Sequence, residues 1–373
     1  MKLRYPAASA VVLSLTFAIA PAAHAAAGSP LDCGAGVVAV KGGYQLTQDV
    51  TCGFTWADSH KFLDLRGHTL TGAILTTGDH LTFRNGTLVT DGSYLASDNV
   101  TLSHLKVEGS GPVVGFLIEA GNNFVVEHSS FENIDASVVL DFYFGSTARI
   151  TNSTFTGNTG AAISVQAAND VDIEHNAFNR NGIGVNLWPE DMAGVNRVTV
   201  SNNTFDGNVN AALSIHGFIE NGALDAAHVE RNTITATGGP GIEVVLTCLT
   251  GDDCTPPSMS VSHNHLLGNG TAASNVDSRS GMFARGYSTD GETNIDTPAY
   301  LAGVRVTANH AESNGDLGFD VPGVTDGGKN QASSNANPMQ CIGLSCQKVG
   351  AMARMLTTVA PSLNLSEVAH HHS

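Results

Sequence analysis

Short runs of alternating apolar and polar residues recur along this chain about every two dozen residues. Three segments set the register: ARITNSTFTGN from Ala148 to Asn158, VDIEHNAFNRN from Val171 to Asn181, and VTVSNNTFDGN from Val198 to Asn208. Phe131, Phe155, Phe178 and Phe205 mark four successive units. The last three are each followed by a further alternating run, Ala162–Val165, Ile183–Asn186 and Ala212–Ile215. Weaker copies lie upstream at Phe62–Leu65, Leu81–Gly86 and Val100–Ser103, and downstream at His228–Asn232, Met259–Asn264 and Val304–Asn309. A partial unit at Gly327–Asn337 ends the series.

Period-two alternation over so few residues makes each run a short strand with one face inward. One unit cannot bury that face alone, whereas stacked units share a continuous core. The pattern therefore predicts an all-β fold, a right-handed single-stranded parallel β-helix (solenoid) of about ten to eleven coils. At ~4.8 Å per coil the rod is on the order of 50 Å long. A propeller or sandwich would need longer strands joined by hairpins. Asn and Gly belong at the corners, where left-handed backbone is tolerated. Asn152, Asn176, Asn202, Asn232 and Asn264 are expected to form an asparagine ladder, with His175, His263 and His265 in the repeat corners as further ladder members. Insertions fall near 190–196, 218–225, 249–257 and 270–298, and in solenoids such loops often gather on the binding face.

The ends differ from the repeat. Lys2, Arg4, the apolar stretch Ala10–Ala20 and Ala23-His24-Ala25 read as a secretory signal over 1–25. That stretch is shorter than the about 20 residues a membrane span needs. The β-helix domain is assigned to 26–346 and a tail to 347–373, in which Met352–Val368 is a candidate capping helix. His370–His372 is left out of any metal argument. The six cysteines form three sequence-local couples, Cys33 with Cys52, Cys248 with Cys254 and Cys341 with Cys346. Persistent disulfides need an oxidising compartment, so a secreted location, extracellular or periplasmic, is expected.

Composition narrows the partners. Formal charge is −17, from 17 Lys+Arg against 34 Asp+Glu, and only 14% of residues are charged. Nucleic acid and anionic membranes reward clustered Lys/Arg, so neither is expected as a partner. The 42% hydrophobic content separates this Gly- and Asn-rich chain from disordered sequences. A monomer without a membrane span is expected.

The opening coil, Leu63-Asp64-Leu65-Arg66-Gly67-His68-Thr69-Leu70-Thr71-Gly72, together with the repeat over 33–346, resembles the pectin-lyase-like superfamily. Within it the chain is similar to secreted bacterial right-handed parallel β-helix repeat proteins. The resemblance implies the fold but not one activity, because this fold hosts lyases, hydrolases, epimerases, depolymerases and non-enzymes. Polygalacturonase-type motifs are out of order here: Gly251-Asp252-Asp253 follows His216-Gly217, and Thr289-Asp290-Gly291 is later still. The Arg-x-Pro-x-x-Arg core of pectate lyases is absent. Gly318-Phe319-Asp320 resembles a mannuronan epimerase segment, but Val321-Pro322 stands where that segment has Pro-His.

Aligning the second strands of the units brings Asp141, Gln166, His216 and Glu243 outward within a few coils. The candidate catalytic residues are Asp141, His216, Glu243, Glu190, Asp191 and Arg285, with Tyr143, Gln166, Asn186, Trp188 and Tyr287 as substrate-binding candidates. Paired carboxylates suit glycoside hydrolysis. A histidine base beside an arginine suits β-elimination from a uronate, and aromatic faces suit sugar stacking. No cofactor is required by this set; clustered acids are oxygen ligands of the kind Ca²⁺ takes, which leaves calcium open. The pattern predicts a carbohydrate-active protein, a polysaccharide lyase or glycoside hydrolase with a polysaccharide or oligosaccharide partner. The competing reading is a non-catalytic glycan-binding or scaffold β-helix.

Overall fold

Each turn of the chain contributes strands to two stacked sheets, which wrap a single apolar column. A computed structural model describes residues 30–347, except 96, 112–115, 120, 144–145, 167, 189–193, 220–223, 253 and 272–278, with side chains at 116–119 and 143 also outside the description. The sequence-predicted signal, nearly all of the tail, and Glu190 and Asp191 lie outside the described residues. The smaller sheet, sheet A, stacks twelve strands on one path, with a thirteenth, Asn294–Asp296, paired antiparallel to one of them. Twelve strands on the path mean eleven rises, so the coil count reaches the upper end of the expected range and adds short terminal strands. The larger sheet, sheet B, has 24 strands because most coils supply it with two. Apart from the opening hairpin and the Asn294–Asp296 strand, pairing is parallel, coil on coil.

The register follows from the repeat. Phe131, Phe155, Phe178 and Phe205 face one another across parallel pairs. Their rings stack at 4.8, 5.0 and 4.7 Å with planes within 10°, and all are buried. The column continues apolar as Ile234, Leu266, Ala311 and Ala332.

Corners are built by a left-handed residue followed by a buried polar one. His175, Asn202, Arg231 and His263 have φ of 58°, 56°, 55° and 58°, and the next residues, Asn176, Asn203, Asn232 and Asn264, are buried. Each of these asparagines accepts the backbone N–H of the coil before, from Asn176 to Asn203 (2.8 Å), Asn203 to Asn232 (3.0 Å) and Asn232 to Asn264 (3.0 Å), and the run continues through Asn309 to Asn330. The expected ladder is thus correct at Asn176, Asn232 and Asn264 and one residue out at the other two positions. Asn152 and Asn202 are exposed corner residues, and Ser153 and Asn203 occupy the ladder. A second ladder runs through Asn158, Asn181 and Asn208, and resumes through Thr237, Asn269, Asn314 and Asn335. His175 and His263 sit in left-handed corners as expected, but the ladder members are the residues after them, Asn176 and Asn264. His265 instead lies on a strand of sheet B and stacks on His310 at 5.0 Å.

All three expected cysteine couples are disulfides, with Cα separations of 5.5, 6.1 and 6.3 Å. No helix among the described residues is long and apolar enough to cross a membrane.

Candidate active site

The outward face of sheet A is a grid of columns. Strand alternation turns every second side chain out, and parallel pairing sets equivalent residues of successive coils side by side. One column runs Asp141, Ser164, Asn186, Ser214, Glu243, Phe283, Asp320. Two residues further along each strand, a second column contains Gln166, Trp188, His216, Val245 and Arg285, and a third holds Phe218, Thr247 and Tyr287. Every sequence-predicted site residue within the described set therefore lies on one face. Small residues at the strand starts allow this close stacking: a Cβ on Gly241 would sit 2.8 Å from the Gly281 carbonyl oxygen, and one on Gly281 2.7 Å from that of Gly318.

Within the grid the charged groups separate into two places. At one end Gln166 Nε2 lies 2.8 Å from each oxygen of the buried Asp141 carboxylate. Four rises, roughly 19 Å at ~4.8 Å each, separate Asp141 from Glu243, so these two acids cannot act on one bond. At the other end two acid–base contacts stand on adjoining coils. His216 Nε2 is 2.9 Å from Glu243 Oε2; the contact has ion-pair distance but not the alignment of a hydrogen bond. Arg285 Nη2 donates to Asp320 Oδ2 at 2.7 Å, while its Nη1 donates to the carbonyls of Ala284 (2.8 Å) and Asp320 (3.2 Å). The guanidinium also lies 4.5 Å from the Phe283 ring centroid, which helps to bury that ring on an outward position. The side chains are largely shielded, at 33% and 20% exposure for His216 and Glu243 and 18% and 11% for Arg285 and Asp320.

Glu243 and Arg285 do not pair with each other; each has a different partner. Glu243 and Asp320 each take the base of the second column from the coil before. Asp320 is the member that the sequence assignment omitted. Its Oδ1 is buried without a hydrogen-bond partner, an uncommon state that a ligand hydroxyl or water would relieve. Glu243 and Asp320 are two rises apart with Phe283 between them, roughly 10 Å at the backbone.

The binding candidates are spread more widely. Trp188 is 39% exposed, one rise from His216 in the second column. Asn186 is half-buried in the first column. Tyr287 is half-buried on the long strand Met282–Thr289, where it pairs with Asp296 of the short antiparallel strand. Tyr143 ends the strand Val138–Tyr143, its side chain outside the description. Among the described residues no group of three or more His, Cys, Asp or Glu is arranged to hold a metal ion. A shallow depression of about 450 Å³ lies on sheet B, lined by residues that include His104, His128, Asn152 and Thr154. It is on the opposite sheet from the acid–base contacts.

Stacked parallel coils, ladder corners and an outward grid define a right-handed parallel β-helix. Residues 65–221 match the family model described as right handed beta helix region. Among solved structures, the chain is similar to the Azotobacter vinelandii mannuronan C-5 epimerase AlgE6 A-module, at 12% identity over 81% of this chain and 90% of that one, with a TM-score of 0.41. It is also similar to DFA-IIIase from Arthrobacter chlorophenolicus A6 (12% identity, 74% and 86% covered, TM-score 0.36). A third is the catalytic unit of a thermostable GH87 alpha-1,3-glucanase from Streptomyces thermodiastaticus (11%, 78% and 63%, TM-score 0.41). No curated protein sequence matches the chain.

Proposed function

We propose that this chain is an exported carbohydrate-active enzyme, a polysaccharide lyase or glycoside hydrolase, whose reacting groups are His216, Glu243, Arg285 and Asp320. The observation that carries the reading is the pair of shielded acid–base contacts on adjoining coils, His216 with Glu243 and Arg285 with Asp320. Export is supported by the signal-like N-terminus and by three disulfides.

The four groups serve either reaction. In elimination, the Glu243 carboxylate holds the His216 imidazole while that ring removes a carbon-bound proton, and Arg285 stabilises the developing negative charge. In hydrolysis, one of Glu243 and Asp320 protonates the leaving oxygen and the other activates water. Their two-rise spacing approaches the about 6.5–9.5 Å of carboxyl pairs that work through an intervening water. Trp188, exposed beside the cluster, offers a face on which a sugar ring can stack.

A non-catalytic glycan-binding or scaffold protein is the second reading, favoured by the position of the sheet B depression away from the acids. A polysaccharide panel separates the two, with reducing-end release and ultraviolet absorbance of unsaturated uronates measured on the same samples. Product from one glycan, abolished in both Glu243→Gln and Asp320→Asn, supports the enzyme. Product that survives both substitutions assigns the chemistry elsewhere, and no product from any glycan returns the chain to the second reading.

A further inference from the structure

We infer that the glycan taken by this face is uncharged, a neutral polysaccharide and not a polyuronate. The inference rests on the proposed site and deepens it. Arg285 is the one Lys or Arg in all the described strands of sheet A. The same strands contain five acids, Glu119, Asp141, Glu243, Asp296 and Asp320. The described strands of sheet B hold six cations, Lys61, Arg84, Lys106, Arg149, Arg197 and Arg305. Both sheets carry more acids than cations on their described strands, and the one that carries the candidate site has a single cation, Arg285, to set against an anionic ligand.

Arg285 does not offset this. Its charge is matched by Asp320 at 2.7 Å, Nη1 is directed to two backbone carbonyls, and the guanidinium plane lies on Phe283. A polyuronate laid along the first column would present one carboxylate per sugar to Asp141, Glu243 and Asp320 over six rises, roughly 29 Å. Each acid would have its nearest uronate within the ~8–10 Å screening length, so the repulsion between them is only partly screened. Neutral sugars carry no such penalty. The surrounding outward groups Asn186, Trp188, Thr247 and Tyr287 supply the amide, hydroxyl and aromatic contacts that sugar hydroxyls and ring faces use.

An uncharged substrate also selects the chemistry. Elimination needs a carbon-bound proton beside a carboxyl-derived carbonyl, which a neutral sugar lacks. Hydrolysis remains: the glycosidic C1–O bond breaks and a C1–OH bond forms. One carboxyl gives its proton to the leaving oxygen, the other takes a proton from the attacking water, and exchange with solvent restores both.

The test uses the full exported chain. Uncharged glucans, galactans, mannans, xylans and fructans are set beside polygalacturonate, alginate and glucuronan. Each is read by reducing-end release, ultraviolet absorbance and affinity electrophoresis. The expected result is reducing ends from an uncharged glycan, no ultraviolet rise, and kcat/KM at least tenfold above any polyuronate. That kcat/KM should change less than about twofold from ~20 to ~300 mM salt, because no charged ligand is being screened. Retention by an uncharged glycan without turnover supports the inference while removing the catalytic reading. Turnover or retention of a polyuronate in preference to every uncharged glycan overturns the inference and leaves the enzyme reading standing. Neither turnover nor retention of any glycan overturns both.

Discussion

Adjacent asparagines at 202 and 203 offer a sharp test of how the rod is held together. Asn203 is buried, and its side chain makes four hydrogen bonds. Oδ1 accepts the Asn176 backbone N–H (2.8 Å) and the Asn176 Nδ2 (3.2 Å), and Nδ2 donates to the Ile173 carbonyl (2.8 Å) and Asn232 Oδ1 (3.1 Å). Asn203→Ala strands the Asn176 N–H in a buried corner and takes a donor from the Ile173 carbonyl. At about 1–3 kcal/mol for each group left unmade, the loss is roughly 2–6 kcal/mol. Asn202 is exposed, and its side chain meets only the hydroxyl of Ser201, at 3.1 Å. Asn202→Ala loses that bond and places alanine at φ 56°, a conformation that costs about 1 kcal/mol and that Ala226, Ala236 and Ala308 already adopt. Urea unfolding of the two variants beside the parent, followed by circular dichroism, gives the comparison. Hydrogen exchange at the Asn176 amide reports the corner itself. Equal midpoint shifts, or a larger shift for Asn202→Ala, would refute both the ladder register and the energetic argument built on it.

Four further outcomes follow from the same structure. Glu243→Gln should lower turnover by about 10²–10⁴-fold, the usual worth of an acid or base; Asp141→Asn, roughly 19 Å away, should lower it less than about threefold, and a larger effect there would relocate the site. If an uncharged glycan is hydrolysed, the two-rise spacing of Glu243 and Asp320 calls for inversion at the anomeric carbon, and retention in proton NMR of the fresh product would exclude that pair. Burial, then the neighbouring His310, lowers the pKa of His265 from its ordinary 6.5 against an opposing Glu312; the folded state binds fewer protons than the unfolded chain, so stability is complete above 6.5 and falls as pH drops below it. His265→Gln should flatten that acid limb of the unfolding midpoint, and an unchanged limb would assign it to other groups. Replacing Cys33 and Cys52 by serine opens a 19-residue span and should lower stability by about 3 kcal/mol, whereas an unchanged thermal midpoint would mean that the first coil unfolds apart from the rest.

The core was legible in the sequence because only one alignment superimposes Phe131, Phe155, Phe178 and Phe205, and stacked rings follow from that alignment. The ladder was legible to within one residue. Asn202-Asn203 and Asn152-Ser153 put polar residues at both the exposed corner and the buried position beside it, and the left-handed corner accepts Asn, His, Arg and Ala alike. Residue type cannot separate two such neighbours; the hydrogen bond to the coil before does. The same limit explains His265, which sits close in sequence to the corner at His263 but belongs to the following strand.

The face of the site was readable for a related reason, since outward parity follows from period two. The pairings within it were not, because they run diagonally between coils and depend on side-chain reach. Glu243 turns to His216 and Arg285 to Asp320. Asp320 was passed over because it was judged as part of a motif, with Val321-Pro322 where a histidine was sought. Its place in the column was available without the motif: Phe319 continues the inward series Leu213, Ile242, Met282, which fixes Asp320 beside Phe283 and two rises from Glu243. In a solenoid the distance between reacting groups on one column comes in whole rises, about 5 Å or about 10 Å. An aromatic on the intervening rung, as Phe283 is here, holds the wider of those spacings, so the residue that separates the acids belongs to the proposed site as much as the acids themselves.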